Sequence, residues 1–164
     1  LEELFAAYAH TNLSFRKAEM KDASWLLSLR NDPETRKQSI SQQKIAPDKH
    51  QVWLKSTLNN PSRLLFIASL HGEDVASFRL DQRADGSIEL SWTVAPTFRG
   101  KGIGKLLLST IGTILPNYLE LYACVLQGNP ASIKLAQKAG LSLYRQEDKL
   151  IWLKREPSPV SNDA

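Results

Sequence analysis

The chain has a single cysteine among its 164 residues, only three histidines, and no strong charge of either sign. Cys124 alone cannot build a disulfide framework or a cysteine-based zinc site, and no metal site is expected. No apolar run reaches the ~18 residues that a membrane-spanning helix needs, so no membrane partner is expected. Residues 1–11 hold two glutamates and no basic cluster, unlike a signal peptide, which makes a cytosolic (cytoplasmic) setting the default. Runs of Lys and Arg interleaved with aromatics are also missing. The formal charge of +4 therefore favours an anionic ligand in general, and no nucleic-acid partner is expected. Leu1 stands where a Met would open a full reading frame, so either an initiator was removed or this is a piece of a longer protein.

What is present suits one globular domain. The composition is 42% hydrophobic and 23% charged, and the length is enough to close a core. Leu1, Leu4, Phe5 and Tyr8 fall at helical spacing, so residues 1–12 read as a segment holding a short docking helix or a linker. Residues 13–19 read as a strand. Asp22 is placed to cap a helix carrying Trp25, Leu26 and Leu29 that ends near Asn31-Asp32-Pro33, and Pro47 opens a second helix stopped at 59–61. Three strand-like runs follow at 64–70, 75–81 and 88–95, with turns short enough for an antiparallel meander. Residues 102–115 form a helix with an apolar stripe from Ile103 to Ile114, stopped by Pro116. A strand at 118–126 leads to Asn129-Pro130, a cap and first-turn proline, then a helix at 131–139 with Gly140 as its stop. Two strands at 141–146 and 150–154 finish the domain, and residues 156–164, with two prolines, are expected to be disordered. The order predicts one α/β (α+β) domain over 13–155, with a mixed, mostly antiparallel sheet of about seven strands flanked by about four helices.

The informative segment runs from Val94 to Lys105: a strand ends, a short loop follows, and Gly100, Gly102 and Gly104 alternate into an amphipathic helix. Such glycines let the backbone approach a ligand, and the first N–H groups of a helix have no intrahelical partner. With Arg99, Lys101 and Lys105 alongside, the corner suits a pyrophosphate. A Walker A loop fails here, because three residues separate Gly100 from Gly104 and Leu106 follows Lys105. A dinucleotide fingerprint fails because the third glycine comes one residue early.

Arg99, Gly102 and Gly104 meet the pattern Arg-x-x-Gly-x-Gly, and the segment resembles the acetyl-coenzyme-A loop of the GNAT (GCN5-related) N-acetyltransferase superfamily. The element order matches that family from residue 13 to 155. The resemblance implies acetyl-CoA as cofactor, held by Arg99, Gly100, Lys101, Gly102, Ile103, Gly104 and Lys105, with Trp92 and Val94 on the preceding strand. Asn129 and Ser132, spaced from Gly140 as in the family's later helix, complete that set. Many members carry a tyrosine seven residues after this Asn, as the acid for the departing thiolate; here that position is Ala136. A free thiol ionises near pH ~8.5, so a thiolate can leave without it. Ser132, Tyr144 and Tyr122 are the substitutes considered. Glu89 is the candidate base, on the face of its strand that it shares with Ser91 and Thr93.

Asn31, His50, Arg79 and Asp81 are the candidate acceptor-binding residues. The stretches Leu29-Arg30-Asn31-Asp32, His50-x-x-Trp53 and Phe78-Arg79-Leu80-Asp81 resemble acetyltransferases of pseudaminic-acid synthesis. That resemblance implies a small-molecule amine partner, the 4-amino group of a nucleotide-linked amino sugar, a monomer or homodimer, and a domain that also occurs within a larger fusion protein. The alternatives are a ribosomal-protein-type N-terminal acetyltransferase and, outside enzymes, an acetyl-CoA-binding sensor. Cys124 is read as buried core.

Overall fold

The computed structural model describes residues 1–8 and 13–159. Helices are α1 (Glu2–Ala6), α2 (Ala23–Asn31), α3 (Pro33–Lys37), α4 (Pro47–Leu58), α5 (Ile103–Ile114) and α6 (Pro130–Lys138). Strands are β1 (Leu13–Lys17), β2 (Arg63–Leu70), β3 (Glu73–Gln82), β4 (Ile88–Val94), β5 (Leu121–Leu126), β6 (Ser142–Glu147) and β7 (Leu150–Arg155). They form one seven-stranded sheet in the order β1-β2-β3-β4-β5-β7-β6. Every neighbouring pair is antiparallel except β4 and β5.

Six helices stand among the described residues where about four were expected. The additional two, α1 and α3, have five residues each, too short to display a periodic stripe. The start of β5 also moves: the strand opens at Leu121, because Pro116 to Leu119 form a turn and Tyr118 is exposed. Asp22 holds the N-cap position of α2, but its side chain makes no cap hydrogen bond there. Its carboxylate instead accepts two hydrogen bonds from Arg16 of β1, at 2.8 and 2.9 Å, and one from the Glu19 N–H at 2.8 Å. A bidentate guanidinium is the stronger partner for a carboxylate. Of the tail, residues 156–159 carry no regular structure, although Ser158 N–H donates to Asn117 O at 2.8 Å; residues 160–164 lie outside the described residues.

β2 is buried on both faces, which divides the core. Phe66 and Ala68 join the larger cluster with Phe5, Phe78 and the apolar stripe of α5. Leu65 and Ile67 join the smaller one with Leu26 of α2 and Leu54 of α4. Residues i and i+2 along a strand share a face, so α5 and α6 cover one side of the sheet and α2 and α4 the other.

β4 and β5 pair only at Ile88 with Leu121 and Glu89 with Tyr122. Beyond Glu89 the two strands part. The backbone of Leu90–Val94 on that side has no strand partner, and polar main-chain groups in such a gap need a ligand or water. The functional clefts open at this gap.

Candidate active site

The first cleft, of about 690 Å³, is built on the loop between β4 and α5. Gly102 is the N-cap of α5 at φ 79°, in the left-handed region, where a Cβ is disfavoured. A Cβ placed on Gly102 or on Gly100 would meet no protein atom within 4 Å, and both residues line the cleft. No side chain caps α5, so its first-turn amides remain available to an anion. This is the cradle that a pyrophosphate requires, and the residues fit the group.

Trp92, Val94, Arg99, Gly100, Gly102 and Ile103 line this cleft, as do Gly104, Lys105, Asn129 and Ser132. Lys101 does not; its ammonium lies 5.6 Å from the centre of the Phe98 ring. Two of the lining residues also serve the fold. Gly104 serves helix packing, since a Cβ there would stand 2.8 Å from Leu135 Cδ1 of α6. Arg99 lines the cleft, but its guanidinium is engaged elsewhere: Nη1 donates to Asp32 Oδ2 at 2.8 Å and Nη2 to Thr35 Oγ1 at 2.7 Å.

Asn129 caps α6, accepting from the Ser132 N–H at 3.1 Å, and its amide donates to Ser132 Oγ at 2.9 Å. With that oxygen already accepting, the Ser132 hydroxyl proton is free to be donated. Ala136 is fully buried in the core, and its methyl group carries no proton to donate.

The second cleft, of about 430 Å³, lies between β4, β5 and the α2–α4 layer. It shares Gln38, Ser39, Trp92, Thr93, Asn129 and Ser132 with the first, so the two meet at the open end of the strand gap. Ser132 stands at that junction.

The expected acceptor residues separate here. His50 is 3% exposed and lines this cleft, its ring 5.4 Å from that of Trp53. Burial holds its imidazole below the usual histidine range, against an opposing hydrogen bond with the Ala23 backbone. Its Nε2 is buried without a hydrogen-bond partner, and the lowered pKa favours the neutral ring. Arg79 lines the cleft too, ion-paired with Asp81 at 2.7 Å, while Asp81 lies outside the lining and also meets Arg63. Asn31 is occupied in the fold: both ends of its amide bond the Ile45 backbone at 2.8 Å, which holds the segment between α3 and α4.

Glu89 and Tyr144 line neither cleft. Glu89 pairs with Arg83 at 3.0 Å, and Tyr144 is exposed on β6 against the Tyr122 ring. Tyr122 donates its hydroxyl to Glu120 at 2.6 Å. Cys124 is half-buried in the wall of the second cleft rather than in the core. Burial first, then Glu89, pushes its thiol pKa up, so it stays protonated. Sequence reasoning missed Arg30, Gln38, Ser39, Ile40 and Ser41, which line the second cleft. A signal for their support was present: Asp32 before Pro33 is a helix start as well as an end, and Asp32 Oδ2 accepts from the Thr35 N–H at 2.9 Å.

A sheet parted beside an uncapped, glycine-built helix start forms a cradle for a diphosphate-bearing ligand. Residues 12–142 match the family model described as "Acetyltransferase (GNAT) domain", and the chain belongs to that family. It is an acetyl-CoA-dependent N-acetyltransferase. No curated protein matches it. Among solved structures, a candidate phosphinothricin N-acetyltransferase is 25% identical with a TM-score of 0.73, over 90% of this chain and 99% of that one. YncA of Salmonella typhimurium, solved with its cofactor acetyl-CoA, is 15% identical with a TM-score of 0.68, over 94% and 99%. The spermidine N-acetyltransferase of Vibrio cholerae, with CoA and spermine, is 15% identical with a TM-score of 0.73, over 87% and 93%. The last two likenesses are of fold.

Proposed function

We propose that the acceptor is the 4-amino group of a nucleotide-linked amino sugar, seated in the second cleft. One observation carries this reading. No Asp or Glu lines that cleft among the described residues, while Arg30 does, with its Nη1 buried and without a hydrogen-bond partner. Burial, then the neighbouring Arg36, lowers the Arg30 pKa, so its charge is held at a cost. A phosphate would relieve it through charge-assisted hydrogen bonds. Polyamines and aminoglycosides, the ligands named for several neighbours of this fold, are polycations and would meet the wrong charge.

When bound, acetyl-CoA supplies the activated acyl group that the amine nitrogen takes. The chain supplies the rest. The amine is held at the junction by the walls formed by Trp92, Thr93 and Ser132, where proximity does much of the work. Glu89 lies on the same face of β4 as Ser91 and Thr93, both of which line the second cleft. It would take the amine proton through water and return it to solvent, and the Ser132 hydroxyl would position a water from which the leaving thiolate takes its proton.

The test is release of coenzyme A with a UDP-linked amino sugar, an N-terminal peptide and spermidine as acceptors. Turnover is expected with the sugar; peptide-only turnover would overturn the substrate reading and support the protein N-terminal alternative, and no turnover despite cofactor binding would favour a sensor. Arg30→Gln is expected to raise KM for the sugar nucleotide about 10- to 100-fold, the weight of a hydrogen bond to a charged group, with the KM for acetyl-CoA unchanged. An equal loss with an uncharged amino sugar would dissociate Arg30 from the phosphate. Glu89→Gln is expected to lower kcat by about 10²-fold, the scale of general base catalysis, with recovery as pH rises and the amine deprotonates unaided. A kcat matching the unsubstituted enzyme would remove Glu89 from the reaction.

A further inference from the structure

The helix α3 and the residues after it roof both clefts. Thr35 lines the first, Ile40 and Ser41 line the second, and Gln38 and Ser39 line both. Yet α3 has no buried residue of its own. An element without an apolar anchor sits at the low-stability end of a structure, and its position must come from polar ties. The segment after it is tied to α2 and α3 by Asn31 on Ile45, Arg30 on the Ser41 carbonyl and Arg36 on the Gln42 carbonyl. A different tie reaches across to the sheet. Arg99, 67 residues away from Asp32 and 64 from Thr35, bonds both, while its Nε donates to the Val94 carbonyl at 3.3 Å.

Arg99 belongs to the loop whose glycines cradle the cofactor. Its guanidinium is thus spent on the roof, although its backbone lies beside Gly100. We infer that Arg99 is a positioning residue that couples the two clefts: seating the cofactor on the Gly100 to Gly104 loop fixes α3 through the Arg99–Asp32–Thr35 contact, and thereby fixes the wall of the acceptor cleft. This rests on the acetyl-CoA reading of the first cleft. The coupling is a linkage between two sites through one shared element. The partners are part-buried, with side-chain exposures of 33% for Arg99 and 18% for Asp32, so solvent screens the pair less than a surface bridge.

Hydrogen exchange with saturating coenzyme A tests it. In the unsubstituted protein, coenzyme A is expected to slow the amides of residues 34–41 about tenfold or more, together with those of residues 100–105. Asp32→Asn keeps a helix cap and removes the charge; Arg99→Gln removes the guanidinium. Both are expected to reduce the roof's gain to about twofold or less while residues 100–105 remain protected. Arg99→Lys is expected to restore part of it, since an ammonium can reach one partner but not two. Unchanged exchange in β2 and β3 reports that each variant is folded. Roof protection equal to that of the unsubstituted chain in both variants would overturn the coupling, the cofactor then holding the roof by itself. Loss of protection at residues 100–105 in Arg99→Gln would also overturn it, by making Arg99 a direct cofactor ligand. No protection at residues 100–105 in the unsubstituted chain would instead strike the acetyl-CoA reading, a result recognisably different from the other two.

Discussion

Gly102→Val is expected to weaken coenzyme A binding about 100-fold or more, with the domain still folded. Gly102 holds φ 79°, and valine is among the residues least able to follow it there. The strain of a non-glycine residue in that region is about 1–3 kcal/mol, and it is relieved most easily by rotating the very peptide units that present the α5 amides. Each hydrogen bond lost to a charged phosphate adds about 1.5–3 kcal/mol. The added side chain would also stand on the cleft lining, with no protein atom within 4 Å of its Cβ. Both effects act on the ligand side, and the core is untouched. A native stability of about 5–15 kcal/mol absorbs the strain. Calorimetric titration of coenzyme A beside far-UV circular dichroism checks the pair of outcomes. Affinity within a few-fold of the unsubstituted protein would mean that the α5 start does not grip the diphosphate.

The largest effect on stability is expected at the other end of the chain. Phe5→Ala should cost about 3–5 kcal/mol, the range for emptying a buried aromatic site. Phe5 is fully buried, its ring 5.0 Å from Phe66, 5.2 Å from Phe78 and 5.4 Å edge-on to Phe15. These contacts tie α1 to β1, β2 and β3. At about 2–4 °C per kcal/mol for a domain of this size, the melting temperature should fall by about 10 °C. Thermal denaturation of the variant measures it directly. A shift below about 2 °C would show that the ring contributes little and that residues 1–8 only lean on the domain.

Phe5 also shows where sequence reasoning reached its limit. The spacing of Leu1, Leu4, Phe5 and Tyr8 predicted a helix or linker, and the helix is there, but Leu1 and Leu4 are exposed while Phe5 is buried. A five-residue helix buries one ring because of where the sheet lies, and periodicity cannot report that. His50 is an expected acceptor residue and does line the second cleft, but its burial beside Trp53 with Nε2 unpartnered is a tertiary result that its place on a helix could not report. Asn31, chosen as an acceptor residue, is instead a brace for Ile45, a contact spanning 14 residues. Ala136 was legible from the start as a missing acid, because it is defined by its distance from Asn129 along one helix.

The amino-acid sequence alone determined the local geometry of the proposed cofactor corner. A diphosphate cradle is made of main-chain amides, and its conditions, glycines able to take positive φ and an uncapped helix start, are all local to residues 94–105. It determined the order of the seven strands and of the four longer helices for the same reason, since periodicity and caps are short-range properties. Tertiary structure decided the second cleft, the proposed acceptor site, and the engagement of Arg99. The cleft exists because β4 and β5 part after Glu89, and it gathers residues from α2, α4, β3 and β5 that no spacing relates. The Arg99 guanidinium finds Asp32 across 67 residues, and charge in a sequence says that a partner is needed without saying where it lies.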